Sequence, residues 1–387
     1  MEHATDVLFS LFLMFTGAKL MAEAFERLRQ PAVIGEILAG VLLGPFVLDM
    51  VRPSEVTAGI AEIGVIFLLF TVGLETKPRE LLEVGWTAGL VAVLGVVLPF
   101  LGGFGYMALT GHTGLESIFI GTALVATSVG ITARVLADMG FLHSQVARII
   151  LGAAVVDDIL GMILLAVVSS LSAGEIHYLQ IFLVVLEAIG FTAFVAVFGT
   201  HIIQKAQPRV EQMVTRNSPF ILSIILCLGL SAGAAYVGMA AIIGSFLAGL
   251  ALADRSEEWH LQRQVHGLYE FMVPFFFVVM GIQLDLGSFS RGDILMTASI
   301  VTAIAMLTKL VGCTLGAMKL GMRKAGLIGT GMIPRGEVGI IVALVGLKMG
   351  TLSTDTYGIV LFMSVATTLV APAALRILLR RTAPETM

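Results

Sequence analysis

The sequence predicts an all-α polytopic membrane protein of about thirteen transmembrane helices, arranged as an inverted repeat with an interrupted helix in each half. Three observations carry that prediction. Hydrophobic residues make up 57% of the 387 and charged residues 13%, with 43 glycines and a mean hydropathy of +0.98, a balance typical of membrane chains. Apolar runs long enough to cross a hydrocarbon core of about 30 Å recur with short polar stretches between them. Two of these runs are broken by helix-disrupting residues at matching places in the two halves. The net charge of −4 says little, because in such a chain the placement of charges matters more than their sum.

In chain order the expected spans are residues 4–26, 31–49, 56–74, 84–110, 115–139, 145–171, 178–204, 218–236, 238–253, 258–282, 294–318, 324–348 and 355–379. The ninth is short, and the tenth opens on the polar run Trp259 to His266, which suits a membrane interface. Cys227 and Cys313 both fall inside apolar runs and read as small core residues, not as a disulfide or metal pair. The first apolar segment lacks a basic leader and reads as a span itself.

Basic residues test this count independently. With the N-terminus outside, the cytoplasmic connections carry Arg27, Arg29, Lys77, Arg79, Arg134, Arg148, Lys205, Arg209, Arg216, Arg255, Arg263, Lys319, Arg323, Lys324, Arg376, Arg380 and Arg381. The opposite side has Arg52, Arg291 and Lys348, and the spans hold Lys19, Lys309 and Arg335. An error of one span would scramble that bias, so the sequence predicts an outside N-terminus and a cytoplasmic C-terminus.

Six spans lie on either side of the seventh, so the two halves enter the membrane with opposite orientation. The expected organisation is a first repeat over 1–175, a linking span and basic loop over 176–217, and a second repeat over 218–387, without a soluble regulatory domain. Transporters built this way place a site near the membrane midplane, where the repeats meet.

The fifth span contains Ala126-Thr127-Ser128-Val129-Gly130-Ile131-Thr132-Ala133-Arg134, where hydroxyls and a glycine can satisfy backbone groups at a helix break. The twelfth contains Pro334 between Gly331 and Gly336, and a proline removes a donor and clashes with the preceding turn. Each break precedes the last span of its half.

The sixth span carries two adjacent acids, Asp157 and Asp158, in a run from Ile149 to Val168 that holds no other charge. An acid at that depth costs roughly 2.5 to 3.5 kcal/mol on insertion scales and must face protein, water or a cation. Lys309 in the eleventh span lies too deep to reach the interface and needs a carboxylate partner. Repeat symmetry sets that span against the sixth, which makes Asp157 or Asp158 the candidate. Arg335 and Glu337, with Arg134 near the other break, form a second deep charged set. Paired with each other or with half-helix ends, they would hold the broken helices together.

These residues carry a resemblance. Val125 to Arg134, Val156-Asp157-Asp158, Lys309, Pro334 to Gly339, and Gly64 to Glu75 together resemble the bacterial monovalent cation:proton antiporter-2 family of sodium/proton exchangers over essentially the whole chain. The resemblance implies an NhaA-like antiporter fold in which the two discontinuous helices cross, a homodimer formed through the outer helices, and a core that moves as an elevator. It also implies Asp158 as the main cation and proton carboxylate, Asp157 as the partner of Lys309, and Thr127 with Ser128 as ligands from the break. Sodium or another alkali cation would then sit on Asp158 and Thr127. The expected partners are sodium or potassium ions, protons, the lipid bilayer and a second copy of the chain, with no nucleic acid and no cofactor.

The residue chemistry suits that function without the name. Carboxylate, hydroxyl and carbonyl oxygens make a hard site, fitted to alkali cations and poor for soft metals. Protons and cations compete for the same oxygens, and exchange follows if the loaded site crosses and the empty charged one does not. Two protons per sodium would make that exchange electrogenic.

Three other readings are weaker. An intramembrane aspartyl protease needs two acids face to face, whereas adjacent helix residues point about 100° apart. A potassium efflux system of the same family would carry a nucleotide-binding unit, and no Gly-x-Gly-x-x-Gly strand-to-helix motif is present. A sodium-coupled solute carrier would move a solute with sodium and leave protons behind. Glu36 and Glu62 read as helix-contact or interface residues, Gly35, Gly40 and Gly44 as a small-residue face for a dimer, and His143, His260 and His266 as ordinary histidines near cytoplasmic ends.

Overall fold

The computed structural model describes residues 2–28, 30–76, 83–172, 182–183, 185–195, 199, 203, 205, 212, 217–283 and 292–382. Among these residues the regular structure is helical: α1 (Glu2–Arg27), α2 (Ala32–Leu43), α3 (Glu55–Leu74), α4 (Gly85–Leu109), α5 (Gly114–Ala123), α6 (Val129–Asp138) and α7 (Gln145–Ser172). Then come α8 (Val185–Val195), α9 (Ser218–Tyr236), α10 (Ala241–Ser256), α11 (Leu261–Ile282), α12 (Gly292–Gly316), α13 (Met322–Gly331), α14 (Glu337–Lys348) and α15 (Thr354–Thr382). Each expected span contains helix. The fifth and twelfth are split, as α5/α6 and α13/α14. Basic positions 29, 77, 79, 209, 216 and 291, on which part of the charge argument rests, lie outside the described residues, as does most of the basic loop after the seventh span.

Local chemistry sets the helix starts. Ser54 and Thr57 cap α3 reciprocally, and Thr113 accepts from the amide of Glu116 at the start of α5. Pro219 occupies the first turn of α9, where its missing donor is harmless. The second span is shorter than expected. Its helix ends at Leu43 and the chain turns over 44–48, since Gly44 caps it on Gly40 and Pro45 follows.

The helices pack in two layers. One holds α1, α2, α3, α9, α10 and α11, with α3 lying along both α10 and α11. The other holds α4, α5, α7, α12, α13, α14 and α15, with α4 running beside α12, α5 and α7. Helix α6 bridges them, touching α2 and α3 on one side and α7 and α15 on the other.

Glycines bring the first layer together. A Cβ on Gly40 would strike the carbonyl of Val278, and one on Gly281 that of Ile37, so α2 and α11 meet backbone to backbone. Gly73 and Gly249 do the same for α3 and α10. Gly35 is pressed on Met21 of α1, and Gly44 on Ile282. The expectation of a dimer face for Gly35, Gly40 and Gly44 is therefore corrected: their small size is used inside the chain.

A sequence relationship underlies this packing. Ala32-Val33-Ile34-Gly35-Glu36-Ile37-Leu38-Ala39-Gly40 on α2 matches Ala241-Ile242-Ile243-Gly244-Ser245-Phe246-Leu247-Ala248-Gly249 on α10. Gly244 is pressed on Leu230 of α9 as Gly35 is on Met21 of α1. Helices two and nine of the expected count thus make the same contacts with their respective neighbours.

Candidate functional site

The two broken helices meet at their breaks. The amide of Ser128, at the start of α6, donates to the carbonyl of Pro334 at 2.8 Å, and Thr132 Oγ1 donates to the carbonyl of Gly331 at 2.5 Å. Gly336 is a glycine because a Cβ there would lie 2.7 Å from Ser128 Cβ. Gly331 likewise leaves room for Ile150.

A broken helix leaves carbonyls unpaired where no water can reach them, and its C-terminal end carries partial negative charge. Two fully buried cations answer that demand. Arg335 donates through Nε to Leu124 at 2.9 Å, just past the end of α5. Its Nη1 donates to Met332 at 3.1 Å and Ile333 at 2.7 Å, past the end of α13, and its Nη2 donates to Ala305 at 3.1 Å. The backbone of Arg335 is held by Thr367 and Thr368 of α15. Lys309 Nζ donates to the carbonyl of Val125 at 2.8 Å and to Asp157 Oδ1 at 2.9 Å.

Of the two acids offered as partners of Lys309, the structure selects Asp157. The route differs from the expected one. Helix α12 packs chiefly along α4 and α15 rather than along α7, so α4 stands between the two charged helices. Gly95 on α4 opens the passage: a Cβ there would stand 3.4 Å from Lys309 Cε and 2.7 Å from Cys313 Sγ. The lysine's long stem spans the gap that helix contact does not.

Adjacent positions on a helix diverge by about 100°, and the two acids face different surroundings for that reason. Asp157 is 1% exposed and turned toward Lys309, while Asp158 is 8% exposed and lines a cleft between the layers. That cleft is narrow and is bounded by Leu69, Val129, Leu151, Ala154, Val155, Ile242, Ile243 and Phe246. On α7 its lining residues 151, 154, 155 and 158 form one face and lead toward the N-terminal end of that helix.

Thr127 Oγ1, Ser128 Oγ and Asp157 Oδ2 are buried without a hydrogen-bond partner. Buried polar oxygens in that condition are uncommon in folded proteins, and these three keep lone pairs available to a donor or a cation. All three belong to the break and the acid pair.

Arg134 belongs to a different group. It lies on α6 away from Arg335, 3.2 Å from Asp138 and 3.9 Å from Glu270, with its guanidinium 4.9 Å from the ring centre of Tyr269. The expectation that it ties the two breaks together is corrected: α6 carries it toward α11. The backbone of Glu337 begins α14, and its side chain lies outside the described residues. Sequence reasoning missed Gly95 and the Thr367-Thr368 pair. Adjacent hydroxyls in an apolar run were a usable signal for the last.

Crossed half-helices, carbonyls capped by buried cations and an acid open to a cleft between two helical layers define a membrane transporter of small ions in its architecture. Comparison with known proteins narrows the class. A model of the transmembrane sodium/hydrogen exchanger family matches residues 10–381, and the chain belongs to that family. It is 39% identical to the high-affinity Na+/H+ antiporter NhaS3 of Synechocystis sp., over 96% of this chain and 89% of that one. It is 32% identical to the Na+/H+-K+ antiporter GerN of Bacillus cereus, with 96% of each covered, and 32% identical to a Na+/H+ antiporter of Enterococcus hirae over 95% and 96%. Among solved structures, the sodium proton antiporter MjNhaP1 of Methanocaldococcus jannaschii shares the fold with a TM-score of 0.70 over 97% of this chain and 99% of that one, at 17% identity.

Proposed function

We propose that this protein exchanges sodium, or another alkali cation, for protons across a cell membrane, with Asp158 as the principal carboxylate and Thr127, Ser128 and Asp157 as the accessory oxygens. The observation that carries this reading is the group of unpartnered buried oxygens on Thr127, Ser128 and Asp157, beside an acid that lines a cleft. A dehydrated alkali cation offers such oxygens what a hydrogen-bond donor would. Transport requires no covalent chemistry, and none is assigned to these residues.

Charge counting sets the stoichiometry question. Two ionised acids and one ammonium sum to −1, which either a cation or one proton neutralises. A second proton leaves either from Asp157, if that acid starts protonated and re-forms its pair with Lys309, or from Lys309 itself when the cation takes the oxygens of Asp157. That is the electrogenic case, two protons per cation. A strict one-for-one ratio from reversal potentials in proteoliposomes would refute it.

Alternating access by an elevator movement of the layer of α4, α5, α7 and α12–α15, carrying α6 with it, is supported by the cleft, which runs between the layers at Asp158. The inverted repeat is supported by the matched α2 and α10 windows. With the N-terminus outside, the cleft leads toward the cytoplasm. The apolar outer surface of α1, with Leu8, Phe9, Phe12 and Leu20 exposed, suits lipid and the interface of a homodimer. A potassium-exchanging variant of the same mechanism is favoured by the likeness to GerN.

The decisive experiment is proton flux from purified protein in liposomes, titrated with sodium, lithium and potassium. Exchange with at least one cation is expected, and Asp158→Asn is expected to abolish it. Undiminished exchange in that variant would overturn the assignment.

A further inference from the structure

Glu36 plays no part in the site above, and its setting is unusual. It stands one turn into α2, 1% exposed, and neither of its carboxylate oxygens has a hydrogen-bond partner. An ionised carboxylate in that condition is disfavoured, because it loses water and gains no hydrogen bond in return.

Packing does not require an acid there. At the matching position of α10 stands Ser245, fully buried, whose hydroxyl donates to the carbonyl of Ile242 within its own helix. The two helices make the same glycine contacts with their neighbours, so a small neutral residue would serve α2 equally well.

The helices packed on α2 are α1, α6, α11 and α15. The charges that bear on Glu36 are Lys19 from α1, Arg134 and Asp138 from α6, and Glu270 from α11. Tyr269 of α11 lies under Arg134, and Arg376, an ionisable group of α15, is acted on by Arg380, Glu26 and Asp138. The four charges balance in number, although Arg134 Nη1 has no hydrogen-bond partner. Lys19 pairs with Glu270 at 3.1 Å, Arg134 with Asp138 at 3.2 Å, and Arg134 also approaches Glu270. Two cations and two carboxylates cancel, and Glu36 is the odd acid. The group is neutral only if Glu36 is protonated.

We propose that Glu36 is a second proton-binding site, separate from the acid pair, which holds a proton while α2 is packed against α6. Discharge means dissociation of the carboxyl O–H bond, with the proton passing to water that enters when the seam between α2 and α6 opens. Arg134 sits on α6, a few residues beyond the break at Ser128, so movement of the half-helix that carries the transport site also moves the charge that acts most on this acid. Opening of the seam becomes easier as pH rises.

Infrared spectroscopy of the lipid-reconstituted protein tests this without reference to transport or to the identity of the cation. In an Asp157→Asn/Asp158→Asn background at neutral pH, a carbonyl band of a protonated carboxylic acid is expected that shifts on labelling with 13C-glutamate. Glu36→Gln should remove it. If Glu36→Gln does not fold, Glu36→Asp should keep an acid band while abolishing its sensitivity to glutamate labelling. In the protein with Asp157 and Asp158 intact, Glu36→Gln should retain exchange with a displaced pH profile. No glutamate-sensitive band, or a band that survives Glu36→Gln, would overturn the proposal, as would a pH profile that superimposes on that of the unsubstituted protein.

Discussion

The amide of Ser128 donates to the carbonyl of Pro334 across 2.8 Å, joining the break in one half of the chain to the break in the other. Each interruption leaves backbone groups that lipid cannot satisfy, and each is completed by the other together with a buried cation. The proposed ion site is thus the by-product of a backbone problem solved jointly by two distant segments.

The fully buried Lys309–Asp157 pair should behave as a coupled unit. Removing one partner strands the other charge, and such changes cost about 3 to 5 kcal/mol. Lys309→Gln and Asp157→Asn should each lower the thermal midpoint of the purified protein. The double variant should recover part of that loss in a double-mutant cycle. Strict additivity would show that the pair does not act as one.

Gly95 should be intolerant of a methyl group. The new carbon of Gly95→Ala would stand 2.7 Å from Cys313 Sγ, and overpacking of this kind costs about 1 to 3 kcal/mol. Adding Cys313→Ala removes the struck atom, so the double variant should be more stable than Gly95→Ala alone by differential scanning fluorimetry.

Gly336→Ala should weaken cation binding more than folding. Its methyl would press on the Cβ and Oγ of Ser128 and displace a proposed ligand. The expected result is a several-fold rise in the cation concentration for half-maximal exchange, near the tenfold that about 1.4 kcal/mol represents. An unchanged concentration dependence would remove Ser128 from the ligand set.

Arg335→Lys should fail to replace arginine. The planar fork reaches four carbonyls on three segments, and a lysine's point charge cannot match those directions. Charged hydrogen bonds contribute about 1.5 to 3 kcal/mol each, so loss of two should lower the thermal midpoint markedly even with the charge retained.

Much of this was legible in the sequence because membrane insertion is read locally. Apolar runs, interrupted segments and the bias of basic residues depend on neighbours along the chain, and Asp157, Asp158, Lys309 and Arg335 declare themselves by standing in lipid-depth segments. Residue chemistry alone narrowed the partner of Lys309 only to two adjacent acids, and the family resemblance, not the spacing, singled out Asp157. Which one it meets depends on the rotation of α7, a matter of a single 100° step. Gly95 gave no sign, since its role is to be absent from the path of a side chain on another helix. The matched α2 and α10 windows were readable but easily overlooked among similar apolar words.

The chain's order of residues determined by itself that this is a many-spanning helical membrane protein, where its helices break, and which charges must be buried. Only the tertiary structure decided how those charges are shared: Asp157 to Lys309, Asp158 to the cleft, Arg335 to the carbonyls of both breaks, and Arg134 to a separate group with Glu36 nearby. The physical reason is range. The cost of burying a charge is fixed by the span it sits in, whereas the partner that offsets the cost comes from whichever helix the packing of glycines and breaks brings within 3 Å.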